Sequence, residues 1–239
     1  RFTSLILRQT DDRVFQIEGE TLDAPDLETT ELQWVERQIA SSQLQGDHYF
    51  PAFNEAVINW RYSDITATRE APDRRYYRFD GGEFSSRVDG NIRSFDELED
   101  NATEIGVDLT MVFYGPMNSI ITPKIGYVSS EKERDSEVRR FGFAFNGPIA
   151  NDNELLVKPL EEILAPENIT EDGFVMRELT RPTDSYKANN SLEAFYGQVE
   201  LNFDDRLRLT FGGRQEDFEQ VSTTFDLFRP TTSISADLK

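Results

Sequence analysis

The chain has 239 residues, a hydrophobic fraction of 37% and a formal net charge of −20. This acidity argues against a nucleic-acid partner, because binding to phosphates needs a basic surface. The chain contains no cysteine, which excludes a small domain held together by disulfides. It also has no run of about 20 apolar residues that would predict a transmembrane helix.

The first third of the chain predicts three strands. Residues 2–10 are apolar and predict the first strand, and residues 32–45 predict the second. The acidic residues 11–29 between them predict a long loop. Residues 56–62 alternate between apolar and polar side chains, which is typical of a strand with two different faces. The charged residues 70–101 that follow predict a second long loop.

The middle of the chain repeats this arrangement. Residues 103–113 alternate again, and after a short turn at residues 115–116 a partner strand is predicted over residues 118–127. Residues 129–190 predict the longest loop. Within that loop, the spacing of leucine and isoleucine over residues 154–164 predicts a short helix.

The clearest pattern is a predicted antiparallel hairpin over residues 195–214. Each arm is roughly ten residues long, the length that crosses a bilayer at a tilt. A turn of about three residues around Asp204 and Asp205 makes the apolar face continuous across both arms. The predicted cross-strand pairs are Phe203 with Leu207, Leu201 with Leu209, and Val199 with Phe211. The polar residues 221–239 predict a last loop.

Short and long connections alternate along the chain. The short ones lie near Pro51, Pro116 and Asp204, and the long ones are charged. This alternation is typical of outer-membrane barrels built from one chain. The sequence therefore predicts an all-β fold with antiparallel up-and-down strands that form part of a large transmembrane β-barrel. One partial barrel region would cover residues 1–239, with long loops at about 11–29, 70–101, 129–190 and 221–239.

The alternative is a soluble β-sandwich that acts as a binding or adhesion module through its long acidic loops, because sandwiches also alternate and also use hairpins. Loops well beyond about 15 residues are uncommon in compact soluble domains, which favours the barrel. The two folds differ in where they place the apolar side chains: a barrel exposes them as an outward belt and a sandwich buries them. The side chains that decide between them are Ile58, Trp60, Val107, Leu109, Val199, Leu201 and Leu209.

Several segments together resemble the barrel region of bacterial TonB-dependent outer-membrane receptors. The segments are Glu178–Tyr186, Phe195–Glu200, Arg206–Arg214, and residues 70–75, 132–141 and 224–228. The resemblance implies a bacterial outer-membrane barrel of about 22 strands with an internal plug. It also implies import of a scarce solute, such as an iron chelate or a glycan, with energy from an inner-membrane complex.

The chain begins at Arg1 and is expected to be a fragment, since we count about eight strands and see no segment for the plug domain. The partners that the resemblance implies are the solute, outer-membrane lipid and lipopolysaccharide. An inner-membrane energy-coupling protein would act through the absent plug.

The sequence predicts no enzyme, no cofactor and no metal site. His48 is the only histidine and lies beside a predicted turn, where a solvated side chain is expected. There is no Gly-x-Ser-x-Gly motif for a serine nucleophile, no cysteine or histidine cluster for zinc, and no glycine-rich phosphate loop.

The polar faces of the strands are the predicted ligand-contacting surface. In a barrel they line a wet lumen and face the plug or the solute, whereas in a sandwich they face bulk water. The predicted lumen residues are Asn59, Arg61, Asp108, Gln198, Glu200 and Arg208. The adjacent Arg139 and Arg140 in the long charged loop are predicted to meet an anionic ligand or a lipopolysaccharide phosphate.

Overall fold

The computed structural model describes residues 1–22, 26–116, 118–204 and 206–238, and for residues 230–238 it describes the backbone alone. Parts of three sequence predictions lie outside the described residues. These parts are residues 23–25 of the first predicted loop, Asp205 of the predicted hairpin turn, and Lys239 at the end of the last predicted loop.

The described chain forms one antiparallel sheet of eleven strands. The strands are β1 (Phe2–Gly19), β2 (Leu27–Phe50), β3 (Ala56–Asp80), β4 (Glu83–Phe84), β5 (Ile92–Thr110), β6 (Phe113–Gly115), β7 (Ser119–Phe145), β8 (Phe174–Glu178), β9 (Ser185–Phe203), β10 (Leu207–Asp226) and β11 (Arg229–Leu238). Eight of them follow one another in the order β1-β2-β3-β5-β7-β9-β10-β11, and the short β4, β6 and β8 pair with β3 or β7. The prediction of an all-β fold with up-and-down antiparallel strands is confirmed.

The sheet is open. Among the described residues, β1 pairs with β2 alone and β11 with β10 alone, so these two strands form its edges. Closure into a barrel therefore stays a prediction.

The register of the hairpin β9–β10 is the one that alternation predicted. Phe203 pairs with Leu207, Leu201 with Leu209, and Val199 with Phe211. The pleat places every second side chain on the same face, so a register that differed by one residue would move the apolar set to the other face.

The short connections turn through left-handed residues. Asn54, Asn118 and Asp204 have φ angles of 53°, 52° and 52°. Asn and Asp tolerate this conformation because their short side chains hydrogen-bond to the local backbone. The three predicted short turns are therefore confirmed at the same end of the sheet, as far as the described residues define them.

The strands at the opposite end are longer than the sequence predicted, and this corrects the predicted loop bounds. β1 continues to Gly19, β3 to Asp80 and β7 to Phe145, and β10 and β11 cover most of residues 221–238. These stretches lack apolar alternation. In β5 and β7 their charged side chains pair across the sheet, as Arg134 does with Asp100.

The connection between β7 and β9, residues 146–184, folds into a small cap. The predicted helix over residues 154–164 is two short turns, α1 (Asn153–Leu156) and α2 (Leu160–Ile163). Pro159 separates them because proline cannot donate the backbone hydrogen bond that a continuous helix needs. Three 3₁₀ turns complete the helical structure: Val88–Gly90, Ile149–Asn151 and Pro166–Asn168. None of the described helices has the length and apolarity needed to span a membrane.

The hydrophobic cluster lies where the cap packs on the sheet. The side chains of the cap pack on the ends of β3 and β7 and on β4, in a cluster formed by Tyr77, Phe84, Phe143, Ala150, Leu156, Ile163 and Phe174. The ring of Phe174 meets those of Phe84 and Phe145 edge to face, with centroids 5.8 Å and 5.0 Å apart. Such pairs add stability beyond the burial of their area.

Candidate functional site: the polar face of the sheet

The cross-strand register defines two faces in the half of the sheet beside the short turns. One face, which we call the apolar face, carries rows such as Trp60, Val107, Tyr127 and Phe195. The other, which we call the polar face, carries the neighbouring row Asn59, Asp108, Gly126 and Tyr196. Strands β5, β7 and β9 keep the same alternation toward the opposite end of the sheet, whereas the register of β3 shifts between Ala71 and Arg74.

The apolar face is left uncovered, unlike the apolar face of a water-soluble sheet. On the apolar face, Phe195 is 62% exposed and Ile125 is 58% exposed. On the polar face, the side chain of Asp108 is only 14% exposed. The seven side chains that a sandwich would bury are all exposed or partly exposed. Asp108 is thus largely covered, whereas Phe195 and Ile125 are not.

Asp108 is the centre of the polar face. The Tyr196 hydroxyl group donates a hydrogen bond to its carboxylate, and Lys124 Nζ lies 3.8 Å from Asp108 Oδ2. The same ammonium group lies 5.6 Å from the centroid of the Tyr196 ring. Asp108 therefore has both a hydrogen-bond donor and a cation in reach, so its charge is compensated although it is covered.

Glycine makes this close approach possible. Gly126 lies between Asp108 and Tyr196 in the register, and a Cβ atom there would lie 2.5 Å from Tyr196 Cζ. Gly106 has the same role for Arg61, whose Cζ would lie 2.7 Å from an added Cβ. Arg61 Nε can then lie 2.9 Å from Glu104 Oε1. Both glycines leave room for a long side chain to lie flat on the sheet.

A third ion pair lies near the hairpin turn. Arg208 Nε is 3.2 Å from Glu200 Oε1 on the adjacent strand. The Arg208 side chain is exposed, so this pair adds little stability. It does keep two more charged groups on the polar face.

The structure places the six predicted lumen residues on one face, and it separates the predicted arginine pair. Asn59, Arg61, Asp108, Gln198, Glu200 and Arg208 all lie on the polar face, as the register shows. Their contact with a solute stays a prediction.

Arg139 and Arg140 are adjacent in β7, so they lie on opposite faces. Arg139 Nη2 lies 2.8 Å from Glu178 Oε2, and Arg140 Nη2 lies 3.4 Å from Asp184 Oδ1. The expectation that both side chains meet one anion is therefore corrected.

The sequence reasoning missed Glu104, Lys124 and Tyr196. Each lies on a strand whose alternation was recognised, but none was selected as a site residue. Their contacts depend on which strands are neighbours in the sheet. Cross-strand pairing predicts these contacts only when the order of the strands is known. His48 is exposed, as the sequence predicted. The sequence did not predict that its Nε2 accepts a hydrogen bond from Trp60 Nε1 at 3.0 Å.

The polar face continues into the charged half of the sheet. Arg134 donates two hydrogen bonds to the Asp100 carboxylate, at 2.6 Å and 2.7 Å, and Lys132 Nζ lies 3.2 Å from the same group. The hydrogen bond from Arg134 holds the pKa of Asp100 below its ordinary value. Burial has the opposite effect on Asp96, whose pKa is raised because desolvation outweighs the arginines around it.

Within the part of the chain that the structure describes, no group of three or more histidine, aspartate or glutamate side chains is placed to hold a metal ion. The fold and this face define an all-β protein with a single open up-and-down sheet, one side of which is polar and linked by ion pairs. No family model matches the sequence. No curated protein matches it either.

Proposed function

We propose that this chain is part of the barrel of a bacterial outer-membrane receptor that binds and imports a scarce solute. The observation that carries the proposal is the uncovered apolar face of the sheet, which lies opposite a polar face that carries ion pairs. In an outer-membrane barrel the apolar side chains contact lipid and the polar side chains line the interior.

The energetics of the apolar face support a lipid environment. Apolar area left in water costs about 25 cal/mol per Å² relative to burial, and large contiguous apolar patches are rare on soluble monomers. The exposed side chains include Ile105, Val107, Ile125, Phe195 and Phe211 on four neighbouring strands. The soluble sandwich would need a second layer over these residues, and the described sheet has a single layer.

The dimensions of the strands also support the proposal. A tilted strand of about 9–11 residues crosses a bilayer, and β9 has 19 residues. The part beside the short turn, from Phe195 to Phe203, has the apolar face. The remaining part, residues 185–194, is mostly polar and would stand in water on the side of the cap.

The transport role combines this geometry with the resemblance of the sequence to TonB-dependent receptors. The polar face would then be the lumen wall, and its side chains would contact the solute or the plug. Outer-membrane lipid and lipopolysaccharide would contact the apolar face. An inner-membrane complex would supply energy through a plug domain, and no step of chemical catalysis is required.

A cysteine scan along β9 tests the proposal. The chain has no cysteine, so single cysteines at residues 195–202 can each carry a fluorescent probe in protein reconstituted into vesicles with brominated lipids. We expect quenching at the odd positions, such as 195, 199 and 201, and little at the even positions, such as 196, 198 and 200. Uniform quenching at all positions would contradict the proposal. So would a protein that is monomeric and stable without detergent and shows no quenching at any position.

A further inference from the structure

The charged half of β7 separates its charges by face. Glu131, Glu133, Asp135 and Glu137 lie on the continuation of the apolar face together with a single cation, Arg139, whereas Lys132, Arg134 and Arg140 lie on the continuation of the polar face. Strict alternation of acidic and basic residues in a strand has this result, because successive side chains point to opposite faces. The polar face is therefore locally basic in a chain with a net charge of −20.

A cavity of about 280 Å³ lies at this basic part of the polar face. Besides Ala188 and Asn189, the residues that line it are Lys132, Arg134, Tyr186, Asn190, Gln220 and Ser222, and we consider the side chains of these six. Lys132, Asn190 and Gln220 are neighbours in one row of the register, and Arg134 and Ser222 belong to the next row. All of these side chains can donate hydrogen bonds.

The charge at the cavity is not balanced. Lys132 and Arg134 share a single carboxylate, that of Asp100. On the other flank of the cavity, the polar-face positions of β9 and β10 are the uncharged Tyr186, Ala188, Asn190, Gln220 and Ser222. One positive charge is therefore left over.

The cations keep free donor groups. Arg134 has five N–H groups; two donate to Asp100 and another bonds to Tyr186, which leaves N–H groups for a further acceptor. Lys132 is about two-fifths exposed, so its ammonium group is accessible from the cavity. A second anionic group that entered the cavity would meet charge-assisted donors from two side chains and neutral donors from the others.

We propose that this cavity binds the anionic group of the solute, a phosphate or carboxylate, on its way through the proposed receptor. This inference rests on the proposed function for the direction of transport, but binding itself depends only on the cavity. A neutral sugar could also use the amide and hydroxyl groups, yet it would leave the surplus positive charge without a partner. The cavity volume is about nine times the volume that one molecule occupies in liquid water, which leaves room for a small anionic group.

Calorimetric titration of the purified chain in detergent micelles with inorganic phosphate, at low ionic strength, tests the inference. We expect saturable binding that weakens as salt is added. Lys132→Gln should weaken the affinity about tenfold, the size of one lost charge-assisted hydrogen bond. The matched control is Lys187→Gln, which removes an exposed lysine from the other face, where it pairs with Asp135, and should leave the affinity unchanged.

Three outcomes would overturn the inference: the absence of phosphate binding, equal losses in the two lysine variants, or binding of glucose in place of phosphate. A thermal unfolding curve of Lys132→Gln that matches the parent protein shows that any loss of binding is local. The cysteine scan separates this inference from the proposed function. If quenching alternates along β9 but phosphate does not bind, the inference about the cavity is refuted and the membrane proposal stands. If quenching does not alternate, the membrane proposal is refuted whether or not phosphate binds.

Discussion

The Tyr196 hydroxyl group donates a hydrogen bond to the Asp108 carboxylate although their strands, β9 and β5, are separated by β7. The two side chains meet above Gly126, which has no side chain to keep them apart. This contact couples three strands on the polar face.

Gly126→Ala should therefore destabilise the protein. The added methyl group would overlap Tyr196 and Asp108, so either the hydrogen bond breaks or the strands move apart. We expect a loss of about 1–3 kcal/mol in the free energy of unfolding, as for overpacking elsewhere. Denaturant unfolding in vesicles or micelles measures it. Gly213→Ala is the control, because a Cβ atom there has no neighbour within 4 Å. Equal effects at the two glycines would show that the close approach is unimportant.

An arginine on the apolar face should be costly, and one on the polar face should not. We expect Val199→Arg to reduce the stability of the vesicle-inserted chain by about 2–4 kcal/mol. Arginine substitutions closer to Phe203, beside the turn, should cost less, because the cost of a charge depends on its depth in the bilayer. Gln198→Arg, one residue away on the polar face, is the control. Urea titrations of the inserted variants measure the difference in stability. A similar loss of stability in both variants would contradict the assignment of lipid to the apolar face.

The ion pair of Asp100 and Arg134 should make the stability depend on pH. The pKa of Asp100 is lowered from 3.8 in the folded chain, so the unfolded chain binds the proton more readily. The pair's contribution is then fully present above about pH 4 and is lost as the pH falls through the lowered pKa.

Asp100→Asn should remove this contribution. We expect it to cost about 1–3 kcal/mol at neutral pH, the range for a group that loses its partner away from water, and progressively less as the pH falls below 3.8. Denaturant midpoints at neutral pH and at pH values below 3.8 measure the difference. Glu99→Gln, on the opposite face, controls for the loss of a carboxylate alone. If both variants showed the same pH dependence, the ion pair would not be its source.

The cap should unfold separately from the sheet when its centre is removed. Phe174 is fully buried against Phe84 and Phe145, so Phe174→Ala should destabilise the cap by about 3–5 kcal/mol. Hydrogen exchange should then become fast over residues 146–184 and stay slow in β9. Ile169→Ala, at a cap residue that is 40% exposed, should change little. Loss of protection in the whole sheet would show that cap and sheet unfold as one unit.

Alternation alone determined the strands beside the short turns, the register of the hairpin β9–β10 and the face on which the six polar residues lie. The physical reason is the pleat, which ties side-chain direction to sequence parity. The same rule would have separated Arg139 from Arg140 had the charged stretch been recognised as a strand. It was not recognised because its charges are compensated by residues distant in sequence, as Arg134 is by Asp100.

Only the tertiary structure decided which residues compensate one another, since Glu104, Lys124 and Tyr196 join the polar network through the order of the strands. It also decided that the apolar face is left uncovered. Periodicity specifies that a strand has two unlike faces, but whether one of them is covered depends on the layers that the whole chain builds around it.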